Sequence, residues 1–305
     1  MRVGEIQRAR ILLAMSELVR ERGAAGVTVA HVVSRSGVSR RTFYELFADR
    51  EACFLAAFDS AVTAGRERMA AAHASEAPWR ERIRAALLAA LEFLDAEPEL
   101  GYLCVVGALS GGQRSLERRA EVLGSLIDAL HQGRPDGKSP AVERVVAEGV
   151  VGAVLSVIHA RLVEQSLGRR REPLIELLNP LMGIVVLPYL GSVAARRESA
   201  RPAPKLEPPV KQHVDPLREL DMRLTYRTVR VLLAIASTPA ASNREVASAA
   251  GITDQGQISK LLARLQSLGL IQKTSGDHTR GERNAWSLTT KGHDVTATIQ
   301  TQPAG

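Results

Sequence analysis

The 305-residue sequence predicts a mostly all-α protein that closes with a small α+β module. Three observations predict it. Apolar residues recur at three- and four-residue spacing over about the first 190 positions, and no strict strand alternation interrupts them. Residues 192–216 then gather Pro202, Pro204, Pro208, Pro209 and Pro216 among charges, with almost no large apolar side chain, a composition that supports neither a helix nor a buried strand. Beyond it, three helical patterns give way to two short apolar runs, 270–274 and 284–288. The length alone suggests two domains or three.

Taken in order, the first helix carries Ile11, Met15 and Leu18 on one face, and the fifth carries Ile83, Leu87, Leu91 and Leu94. Breaks fall at 23–26, Gly37, 75–78, Gly111 and Gly112, 133–137 and Gly168, which leaves about nine helices. Pro180 and Pro188 place a kink or break near Asn179 in the last of them. The organisation read from these signals is an N-terminal head over 1–50, a helical domain over 51–192, a linker over 193–216 and a C-terminal module over 217–305.

Composition excludes several classes. Cys53 and Cys104 are the only cysteines, too few for a disulfide scaffold or a cysteine-ligated metal module. The first 23 residues carry Arg8, Arg10, Glu17, Arg20 and Glu21, so they are no signal peptide. The apolar stretches 145–163 and 177–190 hold Glu148 and His159 or fall short of a bilayer span. A soluble protein of a reducing cytoplasm, with no membrane partner, is expected. The net charge of +7 divides unevenly, +4 over 1–50, −3 over 51–192, +2 over 193–216 and +4 over 217–305. Basic ends around an acidic middle fit a polyanion, and nucleic acid is the first partner to test.

Residues 28–47 read TVAHVVSRSGVSRRTFYELF. Thr28 can cap a short helix that turns Val29, Val32 and Val33 inward, Gly37 supplies a turn, and Ser39 caps the next helix. This is the pattern of a helix-turn-helix, whose second helix enters the major groove of double-stranded DNA by its N-terminal end. Ser39, Arg40, Arg41 and Thr42 then lead, Phe43 and Phe47 pack inward, and Tyr44 points its hydroxyl at the backbone. The run Thr28, Val29, Val32, Gly37, Val38, Ser39, Thr42, Phe43, Tyr44, Phe47 and Arg50 resembles the signature of the TetR family of bacterial transcriptional regulators. That resemblance implies phosphate contacts for Thr28, Thr42, Tyr44 and Arg50, and leaves Arg40 and Arg41 for base edges. The sequence departs from the family pattern at Val33, Ser36, Leu46 and Arg50.

The resemblance extends in length and helix count to about residue 191, and implies a helical domain that binds a small effector and pairs two subunits through its last two helices. Residues 145–162 support pairing on their own terms, because Gly149, Gly152, Ala153, Ser156 and Val157 lie along a helix where small residues permit close approach. A homodimer with a four-helix seam is expected, the alternative being intramolecular core. An apolar pocket with a few polar groups suits a small-molecule effector. Trp79, Phe93, Tyr102, Cys104 and His159 are its candidate walls, and core packing explains each of them equally well.

In the C-terminal part, Ser242 and Glu245 form a Ser-x-x-Glu capping box. A helix over 254–268 turns Gln255, Gln257, Ser259, Lys260 and Arg264 outward and stops at Gly269. The runs 270–274 and 284–288 can pair as a hairpin whose tip holds Arg280 and Arg283, with Lys273 on its first strand. The region resembles the winged helix-turn-helix domains of MarR-like regulators, through Trp286, Ser287, Leu288, Thr289, Lys291 and Gly292. By that resemblance it makes a second DNA contact; docking of another protein is the alternative.

No phosphate cradle, His-Glu-x-x-His or Cys-x-x-Cys pattern occurs, so neither a cofactor, a metal nor an enzymatic role is expected. The reading is a ligand-responsive, dimeric regulator that binds a palindromic operator, most simply a repressor. An architectural DNA binder without effector control, or a scaffold that uses the winged helix, is the competing reading.

Overall fold

The computed structural model describes residues 3–72, 77–132, 144–202, 226–274 and 285–301. Nine α-helices lie among the described residues before position 200: α1 (Val3–Arg22), α2 (Val29–Ser36), α3 (Arg40–Leu46), α4 (Arg50–Ala71), α5 (Trp79–Ala96), α6 (Pro98–Val105), α7 (Gln113–Gln132), α8 (Arg144–Ser166) and α9 (Leu178–Ser199). Three short 3-10 turns join them, at Ala24–Gly26, Gly107–Leu109 and Leu174–Leu177. A break at Glu97, ahead of Pro98 in the first turn of α6, was not among those read from glycine and serine; proline tolerates that position because its missing amide is an orphan there anyway.

The described residues fall into two compact units, one drawing on 12–32 and 47–210, the other on 1–11, 33–46 and 211–305. The larger unit is a helical bundle whose core includes Leu91, Phe93, Leu174, Leu178, Leu181 and Met182. Each such side chain taken from water stabilises the fold by roughly 1.5–3 kcal/mol. Asp95 fastens the start of the last helical segment, its carboxylate accepting from the amides of Leu174 at 2.7 Å and Ile175 at 3.0 Å. Burial pushes the Asp95 carboxyl above its ordinary value against the pull of those two bonds.

The end of this unit differs from expectation twice. The irregularity near Asn179 is a 3-10 turn that becomes regular helix at Leu178, and Pro188 sits inside the helix. The sharp change comes at Gly191, whose φ of 79° and ψ of 176° interrupt α9, a conformation glycine adopts without a Cβ penalty. Residues 193–199, assigned to the linker from composition, are helical and return along the first half of α9. A Cβ on Gly183 would collide with the Ser199 hydroxyl, so the glycine makes room for this return. The reason is local: the prolines begin only at Pro202, and Ala194, Ala195, Arg196 and Arg197 all favour helix.

A buried ion cluster holds the returning segment. Glu198 is 1% exposed and meets Arg84 at 2.7 Å, Arg80 at 3.3 Å and Arg201 at 3.4 Å. Arg84 also donates to the Asn179 side-chain oxygen, and Asn179 donates to the carbonyls of Arg201 and Pro202. Arg201 reaches Glu81 at 3.1 Å, and its hydrogen bond holds the Glu81 carboxyl below the usual range.

The C-terminal module runs α10 (Tyr226–Ser237), β1 (Ala241–Ser242), α11 (Asn243–Ala250), α12 (Gln255–Ser267), β2 (Ile271–Thr274), β3 (Ala285–Leu288) and α13 (Thr290–Thr301). The strands form an antiparallel sheet in the order β1-β3-β2, with Trp286 facing Ala241 on one side and Lys273 on the other. Its core gathers Val229, Leu232, Val246, Leu262, Trp286 and Leu288. The Ser242–Glu245 capping box is present, with both reciprocal bonds. Strand β1 and helix α13 go beyond the elements read from sequence.

Candidate nucleic-acid interface and ligand cavity

The segment around Tyr44 is organised by short-range bonds. The Thr28 hydroxyl accepts from the His31 amide at 3.3 Å and His31 Nδ1 accepts from the Thr28 amide at the same distance, a reciprocal cap at the start of α2. Gly37 turns the chain with φ 66°. The Ser39 hydroxyl then accepts from the Thr42 amide at 3.0 Å and shares a 2.9 Å bond with the Thr42 hydroxyl. Phe43 is fully buried, while Tyr44 is 57% exposed and meets the Phe43 ring edge-on at 5.4 Å.

Thr28, Ser39, Arg40, Arg41 and Tyr44 are exposed and Thr42 is half-buried. The Arg41 side chain is 89% exposed, and its Nε donates to Glu45 one turn on at 2.9 Å. Arg50 differs from a free phosphate-binding cation. It is half-buried, and its Nη1 donates to the Ala24 carbonyl at 2.6 Å, tying the turn after α1 to the start of α4. Its remaining donors are what a phosphate could engage. Asp49, which the motif does not single out, caps α4 by accepting from the Ala52 amide at 2.6 Å. Arg114 at the start of α7 lies 3.6 Å from Asp49 and 3.7 Å from Glu51.

In the C-terminal module Gln255, Gln257, Ser259, Lys260 and Arg264 all face out from α12, as their spacing suggests. Gln257 accepts from Arg227 at 2.8 Å, and Lys273 lies 5.7 Å above the Trp286 ring centre. Arg280 and Arg283 lie outside the described residues.

Two neighbouring cavities open in the helical unit. One, of about 160 Å³, is walled by α4, α5, α6, α7 and α8 and includes Phe58, Phe93, Leu94, Cys104 and Leu155. The other, of about 400 Å³, lies along α7 and α8 and includes Glu148, Ser156 and His159. Phe93, Cys104 and His159 are thus cavity residues. Trp79 and Tyr102 line neither of these two; Trp79 is buried in the core with its ring 5.1 Å from that of Tyr189. Burial pushes the Cys104 thiol up to about 12, so it is a neutral wall group and not a thiolate nucleophile. Among the described residues no group of His, Cys, Asp or Glu could hold a metal ion.

On α8, Gly149, Gly152, Ala153 and Ser156 are exposed and Val157 is half-buried. Helix α8 and the segment 174–199 are long and apolar enough to cross a membrane by length and composition. Exposed apolar side chains continue on α9 with Leu187, Leu190 and Val193.

Residues 11–57, spanning the capped helices and the start of α4, match the model of the bacterial regulatory proteins of the tetR family. The chain carries a TetR-family N-terminal domain. Among solved structures, the transcriptional regulator FadR from Bacillus subtilis in complex with stearoyl-CoA is 16% identical over 58% of this chain and 97% of its own, with a TM-score of 0.51. FadR from Bacillus halodurans gives 16%, 58%, 97% and 0.47, and a TetR-like regulator from Rhodococcus sp. RHA1 gives 15%, 59%, 94% and 0.49. The Bacillus subtilis likeness shows a TetR-like fold. No curated protein matches the chain.

Proposed function

We propose that the chain is a ligand-responsive repressor that binds a palindromic operator in double-stranded DNA as a homodimer and releases it when a small molecule occupies the helical unit. One observation carries the reading. Only three residues separate the α3 reading helix from α4, and α4 walls the 160 Å³ cavity through Phe58, Gly65 and Met69. A ligand in that cavity contacts the helix that follows the reading helix directly in the chain, and it can shift operator affinity only by its differential affinity for the two states. Arg114, against Asp49 and Glu51, supplies a second mechanical link from α7 to the same helix start. That FadR of Bacillus subtilis, of similar fold, was solved in complex with stearoyl-CoA supports a small-molecule ligand for this chain.

Ser39, Arg40, Arg41, Thr42 and Tyr44 meet the groove, with Thr28 and the free donors of Arg50 on phosphates. The exposed stripe of α8, through Gly149, Gly152, Ala153 and Ser156, pairs with α9 of a second subunit, which accounts for apolar helices of a DNA-binding protein whose faces are open in one chain. Cytoplasmic location follows from that role. The C-terminal module is read as a winged helix with α12 as a second DNA contact. Its outward face holds two cations, Lys260 and Arg264, so protein docking is the second reading.

Footprinting over the region upstream of its own gene, with light scattering on the same preparation, tests the proposal. A dimer protecting two half-sites about 34–36 Å apart is expected. A monomer, or uniform protection of any sequence, refutes it. Deleting residues 203–305, which leaves the Glu198 cluster whole, with operator affinity and salt slope unchanged removes the second DNA contact from the proposal.

A further inference from the structure

We propose that the effector is an amphipathic anion: a narrow apolar chain in the 160 Å³ cavity with an acidic head group held by Arg66 and Arg119. The inference rests on the ligand-responsive reading above and names its ligand class. The cavity wall is apolar except for Cys104 and these two arginines, one from α4 and one from α7, and contains no carboxylate. Cys104 stays a neutral thiol, which suits a hydrocarbon neighbour.

The arginines next to them in sequence are satisfied. Arg68 pairs with Glu97 at 3.8 Å and lies 5.0 Å from the Phe93 ring centre, and Arg118 binds Asp59 at 2.7 Å and Glu121 at 2.6 Å. Arg66 and Arg119 have no ion-pair partner among the described residues. A guanidinium beside an apolar hollow, without a carboxylate, is a site for an anionic group presented bidentately.

Size narrows the ligand further. A hollow of about 160 Å³ is small beside the roughly 300–1,000 Å³ of sites that enclose bulky drug-sized molecules. Arg119, Val105, Leu123 and Leu155 are shared with the 400 Å³ cavity, so the two adjoin, and an elongated molecule in the first points toward the second. The carboxylate of that second cavity, Glu148, is already paired with Arg144, and leaves Arg119 as its uncommitted charge. A chain with one acidic end fits this outline; a broad fused-ring cation does not.

Calorimetric titration of the full-length protein with dodecanoate, dodecyl phosphate and methyl dodecanoate tests it, the first two distinguishing a carboxylate from a phosphate head. At least one anion is expected to bind once per chain, with the neutral ester about ten- to a hundredfold weaker. Arg119→Gln should weaken the anion by a similar factor and leave the ester unchanged, Arg66→Gln should act the same way, and Ala61→Phe should abolish both by filling the hollow. Equal binding of anion and ester, insensitivity to both arginine variants, or no binding of any probe overturns the proposal. Operator retention measured on the same protein separates the two readings: absence of any DNA binding refutes the regulatory proposal, whereas anion binding that leaves operator affinity unchanged refutes its role as effector.

Discussion

Replacing Glu198 with alanine removes the one carboxylate that three guanidiniums share. Glu198 is 1% exposed, and Arg84, the most enclosed of its partners at 15%, is left with Asn179 alone. Breaking a buried pair from one side costs about 3–5 kcal/mol, but Arg80 and Arg201 keep 38% and 34% of their side chains in water and recover part of their hydration. The expected loss is about 2–4 kcal/mol, which at about 2–4 °C per kcal/mol for a unit of this size lowers the melting temperature by roughly 5–15 °C. Glu198→Gln, which keeps the shape and one acceptor, should lose about half as much. Thermal unfolding followed by far-ultraviolet circular dichroism reads both. An alanine variant within about 0.5 kcal/mol of the parent refutes the view that the cluster holds residues 192–202 in place. The neighbouring Glu81 sets the direction with pH. Its value is lowered on folding, so its contribution is present above the unfolded value of 4.5 and is lost as pH falls through the lowered one.

Arg41→Ala should reduce discrimination between operator and mismatched sites by about 1–3 kcal/mol; equal loss on random DNA, measured by competition, assigns it to phosphate instead. Glu45→Ala frees Arg41 from its exposed partner and should raise affinity for any duplex, with a steeper salt dependence in filter binding. Ala153→Glu puts a charge on the exposed stripe of α8 and should shift the dimer to monomer in sedimentation, without loss of helical content. Asp95 has a raised value in the folded protein, so it favours folding at low pH and that benefit fades as pH rises through the folded value; the stability of the parent relative to Asp95→Asn should grow as pH falls toward 3.8, seen in urea titrations.

What the sequence made legible is what neighbours along the chain decide. Thr28, Ser39 and Ser242 cap helices from positions three residues before their amide partners, and Gly37 and Gly269 turn left-handed where a helix stops. The antiparallel pair of β2 and β3 follows from two short apolar runs on either side of a polar stretch of sequence. Phe93 and Cys104 reach a cavity because their helix faces are apolar, but nothing in their spacing distinguishes them from Trp79, which packs on Tyr189 in the core. Unreadable were the contacts closed across long stretches of chain. Arg84 and Glu198 stand 114 positions apart, Asp95 and Leu174 79, Arg50 and Ala24 26. No local pattern announces such partners. Composition also misplaced the end of the helical unit, since proline content averaged over 192–216 hid the good helix formers of its first eight residues.

The reversal at Gly191 bears on how load enters the protein. Residues 192–202 double back along α9, and Arg201 and Pro202, which close this described stretch, are gripped by Asn179 and Glu81. A pull applied at Pro202 would therefore meet a half-buried clamp of ions and amides first, much as a cable is secured at its housing, before it reached Leu178, Leu181 and Met182 in the core.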